Sequence, residues 1–418
     1  MVRYVHKVDP VVAAIIQAER HRQNETLELI ASENHASSSV MEATGSVLTD
    51  KYAEGYPGRR WYCGCENADA VEQLAIDRAK KLFGAEHVNV QPHTGTNANL
   101  AVYLAALNPG QTIMGMRLDQ GGHLSHGLDI NLSGICYKSV SYGLDPTTEM
   151  LDMDEVRRLV LKAKPDILVA GASAYPRIID FEAFGKIARE ASCMLLSDIA
   201  HIAGLVVGGV HPDPVPHSQF VTTTTHKTLR GPRGGVILCK NEYAKAIDRA
   251  VFPGLQGGAL MHVVAAKAVA FHEAMQPQFR QYAADVIANC KALAETLLEQ
   301  GWRLVSGGTD NHLLLVDLRD KCPDLTGHVA ANLLADAGII TNKNKIPFDP
   351  RPAADTSGIR LGTPCLTARG MGPEHMRQIA RWIDQVLTAH DPRPLTERIR
   401  KDVRELCLRY PIPNHLDI

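Results

Sequence analysis

The chain has 418 residues, of which 45% are hydrophobic and 22% are charged, and its formal net charge at pH 7 is −2. This composition is that of a globular protein with two or three domains, and the near-neutral charge gives no electrostatic reason to expect nucleic acid or a membrane as a partner. The nine cysteines lack the spacing of a disulfide framework or a metal site. We therefore expect reduced thiols, no bound metal and a cytoplasmic location.

Helical periodicity over residues 10–30 predicts an amino-terminal arm that packs on another surface. From about residue 68 to 285, helical and strand-like segments alternate, which is typical of a mainly parallel sheet with helical crossovers. Helices are predicted over residues 69–82, 97–106 and 181–190, and strands over residues 87–91, 112–116, 167–170 and 194–197.

A long helix predicted over about residues 275–300 separates this region from a second alternating pattern. The second pattern has strands over residues 303–306, 312–317 and 359–361, and helices over 327–337 and 373–389. The sequence therefore predicts an α/β fold with three parts: an arm over residues 1–30, a large domain with a mainly parallel sheet over 31–280, and a smaller α/β domain over 281–418.

Two polar residues follow predicted strands near the middle of the chain. Asp198 ends the buried strand 194–197, and Lys227 ends the β-branched run that begins at Phe220. Ligands of open α/β sheets bind outside the carboxyl ends of the strands. Pyridoxal 5'-phosphate (PLP) requires such a pair, a lysine that forms a Schiff base and a carboxylate that faces the pyridine nitrogen. Taken alone, Lys227 is as readily a solvated lysine at a strand end.

Further segments have the composition of binding sites, each with a simpler alternative. Residues 94–97 (Thr-Gly-Thr-Asn) open a helix after a strand, where backbone N–H groups could hold a phosphate or a threonine could merely cap the helix. His123 lies among glycines and could stack on a cofactor ring or occupy an ordinary loop. The loop 51–62 combines phenols, arginines and Glu54. Arg360, at the end of a predicted strand, could bind a substrate carboxylate or face solvent.

These segments together resemble the serine hydroxymethyltransferase family over nearly the whole chain. The matching blocks, in the family's order, are residues 29–34, 52–60, 221–235, 257–258, 342–344 and 357–364. The resemblance implies a fold-type I PLP-dependent transferase that moves the hydroxymethyl group of serine reversibly to tetrahydrofolate, giving glycine and 5,10-methylenetetrahydrofolate. It also implies a homodimer or a dimer of dimers with active sites shared between subunits.

The resemblance assigns the site residues by position. Lys227 would be the Schiff-base lysine, Asp198 the partner of the pyridine nitrogen, and His123 the residue stacked on the ring. Glu54 would move protons, and Tyr62 would position the substrate. The other cofactor contacts would be Thr94, Gly95, Thr96, Ser173, His201 and His226, with Tyr52, Gly257 and Gly258 reaching across the subunit interface as Glu54 does. The further substrate contacts would be Ser32 and Arg360, and the folate contacts Leu118, Gly122, Leu124 and Asn344 beside Glu54.

The chain departs from the family's usual residues close to the expected cofactor and substrate. Residues 61–66 read Trp-Tyr-Cys-Gly-Cys-Glu, residues 94–97 read Thr-Gly-Thr-Asn, and Asp119 and Gln120 precede the glycines before His123. Ile199 and Ala259 replace the usual methionine and proline. The identity of the substrate is therefore open. The alternatives are the same chemistry on 2-methylserine, giving alanine, a folate-independent β-hydroxy amino acid aldolase, and a non-catalytic binding protein on this scaffold.

Overall fold

The computed structural model describes residues 3–413, which form two compact units. One unit is Ser39–Ala284, and the other combines the described residues of Met1–Ser38 and Asp285–Ile418. Residues 1–2 of the predicted arm and residues 414–418 of the predicted small domain lie outside the described part. The division into an arm and two domains stays a prediction. Among residues 3–413, no helix is both long enough and apolar enough to cross a bilayer.

Strands and helices are numbered in chain order. The strands are β1 Leu27–Glu28, β2 Gly55–Tyr56, β3 Arg59–Arg60, β4 His87–Asn89, β5 Thr112–Met116, β6 Lys138–Tyr142, β7 Ile167–Ala170, β8 Met194–Asp198, β9 Phe220–Thr224, β10 Gly235–Cys239, β11 Arg303–Leu304, β12 Leu313–Asp317, β13 Ile339–Ile340, β14 Asn342–Asn344 and β15 Gly358–Gly362. The helices are α1 Arg3–Val8, α2 Pro10–Glu25, α3 Ser38–Thr44, α4 Glu66–Phe83, α5 Gly95–Ala106, α6 Leu132–Cys136, α7 Met153–Ala163, α8 Phe181–Glu190, α9 Ala203–Val207, α10 Ala244–Arg249, α11 Met261–Ala274, α12 Pro277–Glu299, α13 Gly327–Asp336, α14 Pro364–Ala368, α15 Pro373–Thr388 and α16 Arg393–Arg409.

Three predicted elements, β5, β7 and α8, have the bounds that the sequence indicated. The predicted helix over residues 10–30 instead ends at Glu25, because Thr26 is extended (φ −124°, ψ 156°) and β1 pairs in parallel with β13. The predicted strand 303–306 stops at Leu304, because Ser306 takes a left-handed conformation (φ 56°) in a short 3₁₀ turn.

The unit Ser39–Ala284 is built on a seven-stranded sheet in the order β4-β10-β9-β8-β7-β5-β6. The strands β5 to β9 run parallel, and β10 runs antiparallel to both β4 and β9. The prediction of a mainly parallel sheet is therefore confirmed. In this arrangement β8 and β9 are neighbours, so the segments that follow them leave the sheet at the same edge.

The core of this unit packs α5 against the centre of the sheet. It includes Tyr103 of α5 and the strand residues Val169, Leu196, Phe220 and Ile237, all with no measurable exposure. Burial of one such side chain stabilises the fold by about 1.5–3 kcal/mol. Because every residue of β9 is buried, the β-branched run sits in the sheet interior and its end is held rigidly.

The other unit has a four-stranded antiparallel sheet in the order β11-β12-β15-β14. Its core surrounds Trp302 and includes residues of β12, β15, α13, α15 and α16. Arg369 fastens the amino-terminal segment to this core, since its guanidinium donates to the carbonyl oxygens of Thr26 (2.9 Å), Cys407 (2.9 Å) and Tyr410 (2.6 Å). The described part of the amino-terminal segment thus belongs to the same unit as the carboxyl-terminal residues.

Candidate active site

Asp198 and Lys227 follow neighbouring parallel strands of the unit Ser39–Ala284, which we call the large unit. Asp198 is the last residue of β8, and Thr222 of β9 lies opposite it in the strand register. Lys227 lies three residues beyond β9 and not at the strand end where we expected it. The N–H of Thr225 still donates to the carbonyl of Gly234 (3.1 Å), and the chain then turns, because the carbonyl of Thr225 accepts from the N–H of Gly231 (2.6 Å). Lys227 is half-buried in this loop, beside the end of β8.

Asp198 is a carboxylate with 10% of its side chain exposed, and it accepts three hydrogen bonds. Its Oδ2 accepts from Nε2 of His126 (2.9 Å) and Nδ2 of Asn99 (2.8 Å), and its Oδ1 accepts from the backbone N–H of Ala200 (3.0 Å). Burial raises the pKa of Asp198, but His126, the nearby His123 and the amide of Asn99 together outweigh burial and hold this pKa well below its usual range. Asp198 is therefore ionised at neutral pH.

Asn99 connects Asp198 to His123 through Ser125. Its Nδ2 also donates to Oγ of Ser125 (2.8 Å), and its Oδ1 accepts from Oγ1 of Thr222 (2.6 Å), which fixes the orientation of the amide. The backbone N–H of Ser125 donates to Nδ1 of His123 (3.2 Å). Nδ1 is thus an acceptor, so the proton of the neutral imidazole belongs on Nε2.

His123 is neutral at physiological pH. Its pKa is lowered to about 4, chiefly by burial; the charges of His126 and Lys227 act in the same direction, and the charge of Asp198 opposes them. The ring centroids of His123 and His126 lie 5.6 Å apart. A neutral aromatic ring beside an ionised carboxylate suits stacking on a cofactor ring whose nitrogen faces that carboxylate.

The start of α5 adjoins the carboxyl end of β9 and the amino end of β10. Thr94 caps the helix, since its hydroxyl accepts from the backbone N–H of Asn97 (3.1 Å) and donates to Asn97 Oδ1 (2.6 Å). A Cβ at Gly95 would lie 2.7 Å from Cγ2 of Thr224, and one at Gly235 would lie 2.3 Å from the carbonyl oxygen of Thr94. Only glycine fits at either place. Thr94 is exposed, so an anion can approach the helix N-terminus.

The loops that carry His201 and Lys227 are tied together by two threonines. Thr224 Oγ1 donates to the carbonyl of Ala200 (3.2 Å), and Thr228 Oγ1 donates to the carbonyl of His201 (2.8 Å). These bonds fix the spacing between the segment after β8 and the segment that bears the lysine. Ser173 joins the same edge, because its N–H donates to the carbonyl of Gly121 (2.7 Å), in the glycine turn before His123.

Tyr52, Glu54, Tyr62, Gly257 and Gly258 form a second cluster in the same unit. Glu54 Oε1 accepts from the hydroxyl of Tyr52 (3.2 Å) and Oε2 from that of Tyr62 (3.4 Å), while the two rings meet edge to face at 5.3 Å. A Cβ at Gly257 would lie 3.0 Å from Glu54, and one at Gly258 would lie 3.1 Å from the ring of Tyr52. About half of each tyrosine is exposed. The negative charge of Glu54 raises the pKa of Tyr62.

Arg60 holds the backbone on both sides of Glu54. Its Nη1 donates to the carbonyls of Ala53 (3.3 Å) and Gly55 (2.7 Å), and its Nη2 pairs with the buried carboxylate of Glu72 (2.6 Å). The Arg60 side chain is only 3% exposed. The loop that presents Glu54 is therefore rigid at its base although its aromatic tip is open to solvent.

Two predicted folate contacts, Leu118 and Leu124, flank the glycine turn that contains the third, Gly122. Leu118 and Leu124 expose 43% and 48% of their surface. Gly122 between them has no room for a side chain, because a Cβ would lie 2.1 Å from the carbonyl oxygen of Met116. The turn therefore presents two apolar side chains on a backbone that packs directly against the end of β5.

The other unit contains the predicted substrate residues Ser32 and Arg360 and the folate residue Asn344. Arg360 was expected at a strand end but is the central residue of β15, because Gly358 and Gly362 also pair with β12. Burial lowers the pKa of Arg360 to about 10, and its Nε donates to Oδ1 of Asn342 (3.2 Å).

Ser32 lies close to the end of β15 in this unit. The backbone of Ala31 packs on Gly362, where a Cβ would lie 2.5 Å from Cα of Ala31, and Gly362 donates to the carbonyl of Leu29. Asn344 is the last residue of β14, the strand that pairs with Arg360. Asn344 pairs with Gly358, so it lies at the opposite end of β15 from Gly362, while Arg360 lies midway between them.

The residues of the large unit fit PLP. Nδ1 of His226, next to Lys227, is buried and has no hydrogen-bond partner within residues 3–413, as expected of an atom that a polar ligand would contact. Burial, followed by the charge of Lys227, lowers the pKa of His226 to about 3. A phosphate could bind at the open start of α5, and a ring nitrogen could face Asp198.

His123, His126 and Asp198 also place one possible metal-ligand atom each within 4.8 Å of one another. A cation there would have to replace the 2.9 Å hydrogen bond between His126 and Asp198, so the donor set suits a protonated ring nitrogen better than a metal.

Sequence reasoning assigned no role to Asn99, Ser125, His126 or Thr222. Thr222 could have been recognised once β8 and β9 were taken as neighbours, because it lies opposite Asp198. Asn99 and Ser125 carry no local signal, since their partners come from separate segments.

A mainly parallel α/β sheet, an ionised aspartate at one strand end, a lysine after the next strand and an open helix N-terminus define the class of fold-type I PLP-dependent enzymes. The family model for serine hydroxymethyltransferase matches residues 5–383. The chain belongs to this family. It is a PLP-dependent hydroxymethyltransferase that interconverts serine and glycine with tetrahydrofolate as co-substrate.

Proposed function

We propose that this chain prefers L-serine to 2-methylserine and that Asp198, His123, Lys227 and the turn 94–96 hold its cofactor. The observation that carries the cofactor assignment is the ionised Asp198, tied through Ala200 and Thr224 to the strand that leads to Lys227. When bound, PLP supplies an acceptor for the electron pair left as the Cα–Cβ bond of serine breaks.

The residues around the cofactor site would act as follows. Asp198, kept ionised by His126 and Asn99, would hold a proton on the pyridine nitrogen. His123 would cover the ring as a neutral imidazole. Lys227 would supply the amine. Ser173, His201 and His226 would provide the remaining polar contacts.

The proposed substrate and folate contacts follow from membership of the family. A buried guanidinium such as that of Arg360 is a strong partner for the substrate carboxylate, with Ser32 beside it. Glu54 would move protons at the hydroxymethyl group and at folate, and Tyr62 would position the substrate. Residues proposed at folate are Leu118, Gly122, Leu124, Asn344 and Glu54.

We infer a homodimer, or a dimer of dimers, with Tyr52, Glu54, Gly257 and Gly258 given to the partner's site. The aromatic rings of that cluster are open to solvent. The first two helices also expose a row of large apolar side chains, at Tyr4 (74%), Val8 (88%), Val11 (68%) and Ile15 (63%). An apolar face of this size fits a second copy of the chain. The nine free cysteines support a reducing, cytoplasmic compartment.

Two of the unusual residues have local roles that support serine over an altered substrate. Gln120 is buried and its Oε1 accepts from the N–H of Leu144 (2.7 Å), while Asp119 pairs with Arg117 (2.9 Å). These side chains stabilise the turn before His123. These local bonds explain why Gln120 and Asp119 are present, without a contact to an altered substrate.

The experiment is a substrate panel of serine, 2-methylserine and threonine, each with and without tetrahydrofolate. We expect glycine and methylenetetrahydrofolate from serine only when the folate is present. Faster turnover of 2-methylserine than of serine would reassign the substrate. Threonine cleavage without folate as the main activity would make the chain an aldolase.

Lys227→Ala tests the cofactor assignment separately. Borohydride should fix a pyridoxyl label on the purified wild-type protein but not on Lys227→Ala, while both keep the same circular dichroism. The control variant Lys240→Ala, just after the carboxyl end of β10, should keep the label. Labelling of Lys227→Ala at the wild-type level would remove Lys227 from the chemistry.

A further inference from the structure

Lys267 of α11 is a cation inside the large unit that the proposed mechanism does not use. Its side chain is among the largest fully buried ones, with 1% exposure. Nζ donates to the carbonyl oxygens of Val90 (2.7 Å), Gly235 (2.8 Å) and Pro92 (3.0 Å). A protonated lysine has three N–H donors and a neutral one has two, so three carbonyl acceptors match the charged form.

The three carbonyls belong to the two segments that meet at the start of α5. Val90 and Pro92 lie between β4 and Gly95, the first residue of the helix. Gly235 begins β10, donates to the carbonyl of Pro92 (2.9 Å) and packs on the carbonyl of Thr94. The ammonium group therefore fastens together, from the protein interior, the segments that shape the turn proposed to hold a phosphate.

The positive charge of Lys267 also affects the pKa values of two histidines. It contributes to the lowered pKa of His93 and of His226, in both of which burial is the larger cause. Burial lowers the pKa of Lys267 itself to about 7, and the negative charge of Glu72 in α4 opposes this shift. A buried cation is costly unless its donors are satisfied, and here backbone carbonyls satisfy all of them.

We propose that Lys267 is a positioning residue for the phosphate group of the cofactor. Its ammonium group holds the turn before α5 against β10, and its positive charge adds to that of the helix N-terminus. The proposal rests on the proposed function, because it takes residues 94–96 as the phosphate site. It assigns to Lys267 no contact with the phosphate itself.

The test compares PLP with pyridoxal, which lacks the phosphate, as ligands of the cofactor-free protein. In Lys267→Met the dissociation constant for PLP should rise on the order of tenfold, equivalent to about 1.4 kcal/mol, while that for pyridoxal changes by less than about twofold. A merely structural role would weaken both ligands equally. Asn289→Ala, which removes a buried amide in the other unit, should leave the ratio of the two constants unchanged.

A second variant displaces the ammonium group without removing its charge. A Cβ at Gly234 would lie 2.5 Å from Cε and 3.0 Å from Nζ of Lys267, and Gly234 is not in the left-handed region. Gly234→Ala should therefore weaken PLP selectively, and Gly234→Ala combined with Lys267→Met should add little. Gly45→Ala, whose Cβ would meet nothing closer than 3.7 Å, is the control.

An unchanged ratio of PLP to pyridoxal affinity in either Lys267→Met or Gly234→Ala overturns the proposal. If Lys267→Met does not fold, Gly234→Ala alone decides it. If the wild-type protein binds neither ligand, the cofactor assignment has failed instead, so the two failures are distinguishable.

Discussion

Replacement of Asn99 by alanine removes the centre of the network that joins Asp198 to His123. Asn99 is 1% exposed, and its amide donates to Asp198 and Ser125 and accepts from Thr222, at 2.8, 2.8 and 2.6 Å. Alanine leaves all three partners in place. Each of them then lacks one hydrogen bond in a region that water reaches poorly.

The size of the effect follows from these three bonds. The bond to the Asp198 carboxylate is worth about 1.5–3 kcal/mol, and each of the two neutral bonds about 1 kcal/mol. We therefore expect Asn99→Ala to lower the free energy of unfolding by about 3.5–5 kcal/mol at pH 7. The pKa of Asp198 should rise, because one of the groups that lower it is gone.

The loss should depend on pH in a defined direction. The pKa of Asp198 is lower in the folded protein than in the unfolded chain, so ionised Asp198 stabilises the fold above roughly pH 4, and this contribution disappears as the pH falls through the folded-state pKa. The part of the difference between wild type and Asn99→Ala that comes from Asp198 should shrink in acid.

Urea unfolding of the cofactor-free proteins and PLP titration together test this reasoning. Asn289→Ala is the matched control, because Asn289 is a fully buried asparagine whose amide makes two hydrogen bonds of 2.9 Å in the other unit. Asn289→Ala should lose stability but bind PLP as the wild type does. Asn99→Ala should lose stability and also bind PLP more weakly. Wild-type stability and PLP affinity in Asn99→Ala would refute the network's role.

Two further predictions concern carboxylates. Glu54→Gln should abolish folate-dependent transfer while PLP binding is retained. It should also lower the pKa of Tyr62, which the charge of Glu54 now raises, and a tyrosine difference titration measures this change. Unchanged transfer would give the proton-moving role to another group. Burial, followed by the charge of Glu33, raises the pKa of Glu28 to about 7 although Arg22 opposes it. The folded protein thus holds this proton more tightly than the unfolded chain, and stability is lost as the pH rises from about 4.5 to 7. In urea unfolding at pH 8, Glu28→Gln should therefore be more stable than wild type by about 3 kcal/mol in the free energy of unfolding, and it should lose this advantage by pH 4. The exposed Glu405→Gln is the control, and a difference that is flat with pH would contradict the assignment.

Local sequence patterns determined much of this protein without its tertiary structure. The strands β5 and β7 and the helix α8 follow from runs and periodicity of apolar residues, which are properties of neighbouring residues. The threonine cap of α5 is likewise local. The pairing of Asp198 with the Lys227 segment could be predicted because consecutive parallel strands are usually neighbours and present their carboxyl ends at one edge.

Only the tertiary structure decided which side chains surround those two residues. Lys267 bonds to Val90 across 177 positions of the chain, and Asn99 bonds to Thr222 across 123. No local pattern encodes such pairs, because they arise when helices pack on the finished sheet. The central place of Arg360 in β15 depends in the same way on pairing with β12. Sequence therefore supplied the reactive groups, and packing supplied the hydrogen bonds that fix their charge and position.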